Sequence, residues 1–186
     1  MAVCCLMGPL SAVGREPPLG ATPLSRGADV VNAKEHEVKA AFLYNFLKFV
    51  EWPAARFQET NAPLVIGVVG TSPITAALEA TVRNRTINGR PLVVKAVKTP
   101  EEARAVLSLF VPGSEDERLE AWLTSLNGSS VLTVGESAAF AKQGGIINFV
   151  LDGDKLRFEI NMDVARRAGL KISAQLQKLA RIRRKE

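Results

Sequence analysis

Apolar side chains recur at spacings of three and four between residues 33 and 51, which predicts an amphipathic helix. The stripe consists of Val38, Ala41, Phe42, Asn45, Phe46 and Phe49. Leu43, Leu47 and Val50 widen this stripe, so we expect neighbouring elements to cover the helix on most sides. Pro53 ends the helix, because the residue before a proline is disfavoured in the helical conformation.

Short apolar runs then alternate with helical segments. The run 64–69 lacks a polar alternation, which is typical of a strand buried on both faces. Further strands are predicted over 92–97, 105–111 and 131–134. Each is followed by a helix start, and the expected caps are Ser72 before Pro73, Thr99 before Pro100, and Ser114 with Glu117 as a capping box. A further short helix is expected over 136–142.

The last third of the chain predicts a hairpin followed by helices. Strands over 146–151 and 155–161 are joined by the turn sequence at 152–154, and helices are expected over 162–169 and 173–184. Alternating strands and helices favour a parallel sheet. The sequence therefore predicts an α/β fold: a single domain over residues 33–184, with a mostly parallel mixed sheet, helices on both faces and a C-terminal β-hairpin.

The N-terminal residues 1–32 are expected to be a signal or flexible segment. Residues 2–13 are apolar or small, a length that suits the core of a secretory signal and is too short to span a membrane, although no Lys or Arg precedes them. Proline and glycine then mark residues 14–32 as a connector. Since Cys4 and Cys5 are the two cysteines, cleavage there leaves a cysteine-free protein.

Charge and composition narrow the function classes. Among 186 residues the net charge is +5, and residues 163–186 supply that surplus, so the body is nearly neutral and no nucleic-acid partner is expected. The basic tail is either a solvated helix end or a contact for an anionic membrane surface. One histidine, His36, and the absence of a cysteine pair in the body exclude most triads and metal sites, so we expect neither a cofactor nor an enzyme.

Several polar positions are candidates for binding a partner or a ligand. Gly70, Thr71 and Ser72 follow the first long strand; they either form a plain turn or present a helix N-terminus to an anion, because the dinucleotide and P-loop fingerprints are absent. Other candidates are Asn45, Lys48 and Trp52 on the first helix and Gly144 and Gly145 before a strand. A buried Asn45 needs hydrogen-bond partners, so it belongs either to the core or to a partner surface. The carboxylates of Asp152 and Asp154 fit a turn better than a catalytic pair.

Several blocks resemble the YfiR-like family in order and in sequence. Residues 38–53 (VKAAFLYNFLKFVEWP) are similar to the opening helix of that family, and residues 64–70 (LVIGVVG) to its first strand. Later blocks that resemble it are VLTVGE at 131–136, GGIINF at 144–149, LRFEIN at 156–161 and AGLKIS at 168–173. The resemblance covers residues 35–182.

This resemblance implies an exported periplasmic regulator. The best-known type binds the periplasmic sensor region of a membrane-bound diguanylate cyclase and represses it, which lowers cyclic-di-GMP output. It also implies a homodimer and offers no catalytic residues to assign. Residues 105–108 lack the cysteine that many relatives have there, so control through that disulfide is not expected. The alternative hypothesis is a periplasmic small-molecule-binding module that uses Gly70–Ser72 and a neighbouring Trp52.

Overall fold

A computed structural model describes residues 25–57, 62–153 and 155–183 of the protein, with side chains described for residues 33–57, 62–153 and 155–181. The helices are α1 (Ser25–Phe49), α2 (Ile74–Val82), α3 (Pro100–Ala105), α4 (Leu119–Ser125), α5 (Ala138–Lys142), α6 (Met162–Arg167) and α7 (Ala174–Leu179), with 3₁₀ turns at Ala54–Arg56 and Gly113–Arg118. The strands are β1 (Val50–Glu51), β2 (Leu64–Val69), β3 (Thr86–Ile87), β4 (Arg90–Val97), β5 (Ser108–Val111), β6 (Leu132–Gly135), β7 (Ile147–Asp152), β8 (Lys155–Asn161), β9 (Lys171–Ile172) and β10 (Arg181–Arg183).

The main sheet has the strand order β10-β8-β7-β6-β5-β2-β4-β3. Strands β4, β2, β5, β6 and β7 run parallel, while β8 is antiparallel to β7 and β3 is antiparallel to β4. The short strands β1 and β9 form a separate antiparallel pair. The predicted mixed, mostly parallel α/β domain with a C-terminal hairpin is confirmed.

Two hydrophobic clusters cover the two faces of this sheet. In β2, Leu64, Ile66 and Val68 pack into the cluster that contains α1 and α2, whereas Val65 and Val69 pack into the cluster that contains α3, α4 and α5. Each parallel crossover connection thus returns over one face or the other. Because β2 is buried on both faces, its sequence shows a continuous apolar run instead of an alternation.

Helix α1 is longer and more one-sided than the sequence predicts. It begins at Ser25 and not at residue 33, and residues 1–24 of the expected signal segment lie outside the described residues. Its buried stripe consists of Lys39, Ala40, Leu43, Phe46 and Leu47. The predicted stripe is wrong at Ala41 and Asn45, which are exposed, and at Val38, which is 45% exposed. The sheet and α2 cover one side of the helix and leave the other to solvent.

An aromatic cluster fixes α1 across the sheet. Phe46 is fully buried, and its ring centroid lies 5.0 Å from that of Phe158 and 5.8 Å from that of Phe149. Phe42 contacts the same two rings, with centroid separations of 5.6 and 6.0 Å. This contact joins the first helix to the β7–β8 hairpin, more than 100 residues later in the chain.

The helix starts that the sequence predicts are confirmed at Thr99 and wrong at Ser72 and Ser114. The Thr99 hydroxyl accepts the Glu102 N–H at 3.4 Å. At α2, Pro73 holds the capping position without a side-chain bond, and Ser72 contributes only its carbonyl, to the Thr75 N–H. Around Ser114 the chain forms a 3₁₀ turn, so α4 begins only at Leu119. Prolines hold the capping position at both starts, Pro73 before α2 and Pro112 before the 3₁₀ turn, and a proline side chain has no acceptor atom with which to cap.

The C-terminal helix predicted over 173–184 is wrong beyond Leu179. Ala180 is extended, and Arg181–Arg183 form β10, which pairs in parallel with β8 from Glu159 to Asn161. Without β10, strand β8 would leave its outer backbone groups unpaired at the edge of the sheet. Arg181 also donates to the Asp152 carboxylate at 2.7 Å, which assigns that carboxylate to an ion pair at the hairpin. The third strand is likewise shorter than predicted, because α3 continues to Ala105.

Candidate functional site

Two groups of candidate residues from the sequence lie at opposite ends of the parallel strands. Gly70, Thr71 and Ser72 follow β2, at the C-terminal ends of these strands. Trp52 follows α1, near their N-terminal ends. Arg56, four residues after Trp52, donates to the carbonyls of Arg104 and Val106, just before β5. Strand β2 is about 20 Å long, so the predicted neighbourhood of Trp52 and Gly70–Ser72 is wrong.

The turn at Gly70 has an acidic neighbour. Gly70 has φ +65°, and a Cβ built on it would lie 2.7 Å from Oε1 of Glu115. Its N–H donates to the Val97 carbonyl at 3.0 Å. A carboxylate beside the turn repels the anion that a helix N-terminus would otherwise attract. The geometry therefore favours the plain-turn interpretation of Gly70–Ser72.

Gly145 serves the packing of one aromatic ring. A Cβ on Gly145 would overlap Cε1 of Phe140, and one on Gly135 would overlap Cγ of the same ring. Phe140 is fully buried between these two backbones. Gly144 has φ +94° and lines a depression of about 860 Å³ beside Arg167. Gly145 is thus required for close approach of the ring, and Gly144 for the turn.

The candidates on α1 form part of its exposed side. Asn45 and Lys48 are exposed, and the Lys48 ammonium lies 5.7 Å from the centroid of the Tyr44 ring. Arg85 lies over the same ring at 4.8 Å. Trp52 is half-buried, and its Nε1 has no hydrogen-bond partner among the described residues. These residues form a polar and aromatic surface near the C-terminal end of α1.

A buried lysine is the most unusual electrostatic feature of the described residues. Lys39 is 7% exposed, and its ammonium contacts Glu35 Oε1 at 2.5 Å and Glu136 Oε2 at 2.7 Å. Glu136 also accepts the Gly113 N–H at 3.1 Å through its other oxygen. Burial by itself lowers the pKa of Lys39, but the hydrogen bonds and charges of Glu136 and Glu35 outweigh it, so the pKa lies above its ordinary value.

These groups lie at the bottom of a groove under the hairpin. Strand β6 ends at Gly135, opposite Asn148, while β7 and β8 continue to a turn at Asp152 and Lys155. The projecting hairpin and the N-terminal half of α1 border an open depression of about 460 Å³, which we call the hairpin groove. It is lined by Glu35, Lys39, Gly113, Glu136, Ser137, Ala138, Asn148, Phe149, Val150, Leu151 and Leu156.

A buried polar atom near the hairpin groove is unpaired. Asn148 is 5% exposed, and its Oδ1 is buried with no hydrogen-bond partner among the described residues. A buried acceptor without a donor costs about 1–3 kcal/mol. Nearby, Ser137 donates to the Asp116 carboxylate at 2.7 Å and accepts the Phe140 N–H, so this serine is already satisfied.

Lys39 and Glu136 are not among the candidate residues from the sequence, although the sequence contains an indication for each. Lys39 lies at the same helical spacing as Leu43 and Phe46, and a charge on a buried stripe requires a partner. Glu136 directly follows β6 and Gly113 follows β5, which places both at the carboxyl edge of the sheet, where ligands of open α/β sheets bind. Pairing Lys39 with Glu136 needs the strand order, which the sequence does not supply.

Two kinds of site are not seen in the described part of the chain. Among residues 25–57, 62–153 and 155–183, no group of three acidic, histidine or cysteine side chains could hold a metal ion. Across the same ranges, no helix has the length and apolarity needed to cross a membrane. His36 is half-buried in a depression between α1 and α2, where Pro73 and Ala77 are its neighbours.

Comparison with known proteins identifies the protein family. The model of the YfiR/HmsC-like family matches residues 36–181, so the chain belongs to this family. That is a family of periplasmic regulators in cyclic-di-GMP signalling. No curated protein matches the chain.

Solved structures are similar in fold alone. A conserved domain protein from Vibrio cholerae is 13% identical with a TM-score of 0.55, over 79% of this chain and 59% of that one. An ABC domain in complex with L-Trp from Streptococcus pneumonia is 16% identical, over 63% of this chain and 54% of that one, but its TM-score of 0.46 is too low to bear on the fold. This chain thus matches less than two thirds of either structure's length.

Proposed function

We propose that this protein is a non-enzymatic periplasmic regulator that binds the periplasmic sensor region of a membrane-bound diguanylate cyclase and represses it. The observation that carries the proposal is the family match over residues 36–181. A regulator of this kind acts by binding the inactive state of its partner more tightly than the active state.

The contact surface in this proposal is the exposed side of α1. Val38, Ala41, Asn45 and Lys48 follow one another at helical spacing and are all exposed. This side is apolar at Val38 and Ala41 and polar at Asn45 and Lys48, a mixture that protein interfaces commonly have. It is turned away from the sheet, so a partner or a second copy of the chain can reach it without any change in the fold.

The test is affinity capture of the tagged, exported protein from cross-linked cells, followed by mass spectrometry and a measurement of cellular cyclic-di-GMP. We expect to recover a membrane protein that carries a cyclase domain, and cyclic-di-GMP to rise when the regulator is deleted. The informative variant is Ala41→Arg, which adds a large charge to the exposed side of α1 without touching the core. It should reduce recovery of the cyclase and raise cyclic-di-GMP.

The matched control is Ala121→Arg, which makes the same change at an exposed position of α4 on the other face of the sheet. This control should behave like the unchanged protein. Recovery of a different membrane sensor would keep the regulatory class and overturn the cyclase as partner. Equal loss in both variants would overturn α1 as the contact surface.

A further inference from the structure

Strand β4 leaves part of its outer edge without a partner strand. Strand β3 pairs only with the first two residues of β4, whereas β2 pairs along the other side over Leu92–Val97. The Val97 carbonyl accepts the N–H of Gly70, which directly follows β2, so the backbone groups of Val97 are turned toward β2. Because backbone groups alternate between the two edges of a strand, those of Val94 and Ala96 point to the outer edge.

The outward backbone groups form a short free row. The N–H and C=O groups of Val94 and Ala96 have no hydrogen-bond partner within the part of the chain that the structure describes. At the next outward position the Lys98 N–H donates to the Glu102 carboxylate at 2.9 Å, which ends the row. Alternating donors and acceptors along a strand edge are the pattern that another extended backbone satisfies.

The chain around this edge is strongly basic. Residues 83–98 contain five cationic residues and no acidic residue, and the cations are Arg83, Arg85, Arg90, Lys95 and Lys98. This local field attracts an acidic segment. It disfavours a second copy of β4 as the partner strand, because the five cations of each copy would then lie side by side.

Two side chains add a pattern to the charge. Val93 and Lys95 lie on the same side of the sheet as Val97, which packs into the cluster that contains α3 and α4. Val93 is 44% exposed, and Lys95 is exposed as well. An added strand would pair with both if it placed an apolar side chain beside Val93 and a carboxylate beside Lys95.

We propose that β4 binds an extended acidic segment of a partner protein, which adds to the sheet as a new edge strand. Its backbone bonds to Val94 and Ala96, and one of its carboxylates lies beside Lys95. This interaction uses the edge of the sheet and not the exposed side of α1, so it stands whether or not the cyclase is confirmed as a partner.

The experiment combines the full protein with three capped peptides of sequence STEVVETS, STKVVKTS and STEPPETS. The first has the proposed pattern and reads the same in both directions, so it fits either strand orientation. The second reverses its charge. The third keeps the charge but replaces both valines by proline, which cannot donate a backbone hydrogen bond.

Amide hydrogen exchange followed by NMR at pH 7 and low salt gives a readout for each edge of β4. In the free protein we expect fast exchange at Val94 and Ala96 and protection at Val93 and Lys95, whose amides are turned toward β2. STEVVETS should slow Val94 and Ala96 about tenfold at about ten times its dissociation constant. The other two peptides should leave both rates unchanged at the same concentration. No slowing by STEVVETS, or equal slowing by either other peptide, would overturn the proposal.

A charge variant tests the role of Lys95. Lys95→Glu should weaken STEVVETS about fivefold or more and make STKVVKTS the tighter peptide, because the cross-strand pair changes sign. The matched control is Lys178→Glu, the same change at an exposed position of α7. It should keep the preference for STEVVETS. Equal weakening in both variants would show that net charge alone attracts the peptide, which would overturn the site at β4.

A backbone variant tests the free row directly. Ala96→Pro removes one outward N–H and leaves the hydrogen bonds between β2 and β4 in place, as proline is tolerated where its nitrogen faces away from the ladder. It should abolish the peptide-dependent protection of Val94. Ala96→Val is the control, since it keeps the N–H and should bind STEVVETS as before. Unchanged binding by a folded Ala96→Pro protein would overturn the pairing at this edge, and Lys95→Glu decides the matter if that variant does not fold.

Discussion

Lys39 on the first helix donates to Glu136, 97 residues later in the chain, with 2.7 Å between Nζ and Oε2. Glu136 in turn accepts the backbone N–H of Gly113. One carboxylate thus joins α1 to the ends of β5 and β6. The contact fixes the N-terminal half of α1 over the edge of the sheet that holds the hairpin groove, so its loss should affect both stability and the groove.

Lys39→Met should destabilise the protein by about 2 kcal/mol, because Glu35 and Glu136 would then face each other without a compensating charge. Glu136 is a quarter exposed, which holds this figure below that of a fully buried pair. Urea unfolding measures the loss. The control Lys48→Met changes an exposed lysine of the same helix and should alter the unfolding free energy by about 0.5 kcal/mol or less.

The double variant Lys39→Met, Glu136→Gln separates charge from packing. It removes both ends of the strongest ion pair and should recover part of the stability lost in Lys39→Met. An independent second mutation would instead make the double variant less stable than Lys39→Met by the full cost of Glu136→Gln alone. That result would contradict the contact between Lys39 and Glu136.

The stability should depend on alkaline pH through Lys39. Its pKa in the folded protein lies above the ordinary value of 10.5, since the paired carboxylates outweigh burial. A raised pKa means that the stabilisation is complete below pH 10.5 and is lost as the pH rises through the folded-state value. Unfolding free energies from pH 8 to 11 should therefore fall more steeply at the alkaline end for the unchanged protein than for Lys39→Met. Parallel curves would contradict this assignment.

The sequence predicted the fold more completely than the site. Strand β2 and the β7–β8 hairpin are evident from local patterns, because apolar runs and a Gly-containing turn specify them without long-range information. The predicted buried stripe of α1 is wrong, because positions 38, 41 and 45 show a helical spacing just as positions 39, 43 and 46 do. Only the sheet decides which of the two stripes is covered. Strand β10 was missed because a basic segment gives no sign that β8 has an open edge.

The same limit applies to the candidate site. Gly145 was selected as a binding residue, yet its local sequence does not reveal that Phe140 lies against it. Asn148 was not selected, since an Asn within an apolar strand shows its missing partner only when the neighbouring strands are in place. Sites formed at the edge of a sheet depend on strand order, and local patterns do not encode that order.

Phe46→Ala should cost about 3–5 kcal/mol, as is typical of a buried aromatic residue whose removal leaves a cavity. Phe46 contacts the rings of both Phe149 and Phe158, so the variant also loosens α1 from the hairpin. Val38→Ala is the control on the exposed side of α1, where about 0.5 kcal/mol or less is expected. Chemical denaturation of both variants measures the difference, and a cost below about 1 kcal/mol at Phe46 would contradict the packing described.

Gly145→Ala tests whether this glycine serves packing or binding. A methyl group there would overlap the Phe140 ring, and overpacking of this kind costs about 1–3 kcal/mol or more. Gly113→Ala is the matched control, because a Cβ there meets nothing closer than 4.0 Å and the backbone N–H to Glu136 is retained. The combination of Gly145→Ala with Phe140→Leu should be more stable than the sum of the two single losses, since the smaller side chain relieves the overlap. Strict additivity would show that Gly145 matters for another reason and would return it to the set of candidate binding residues.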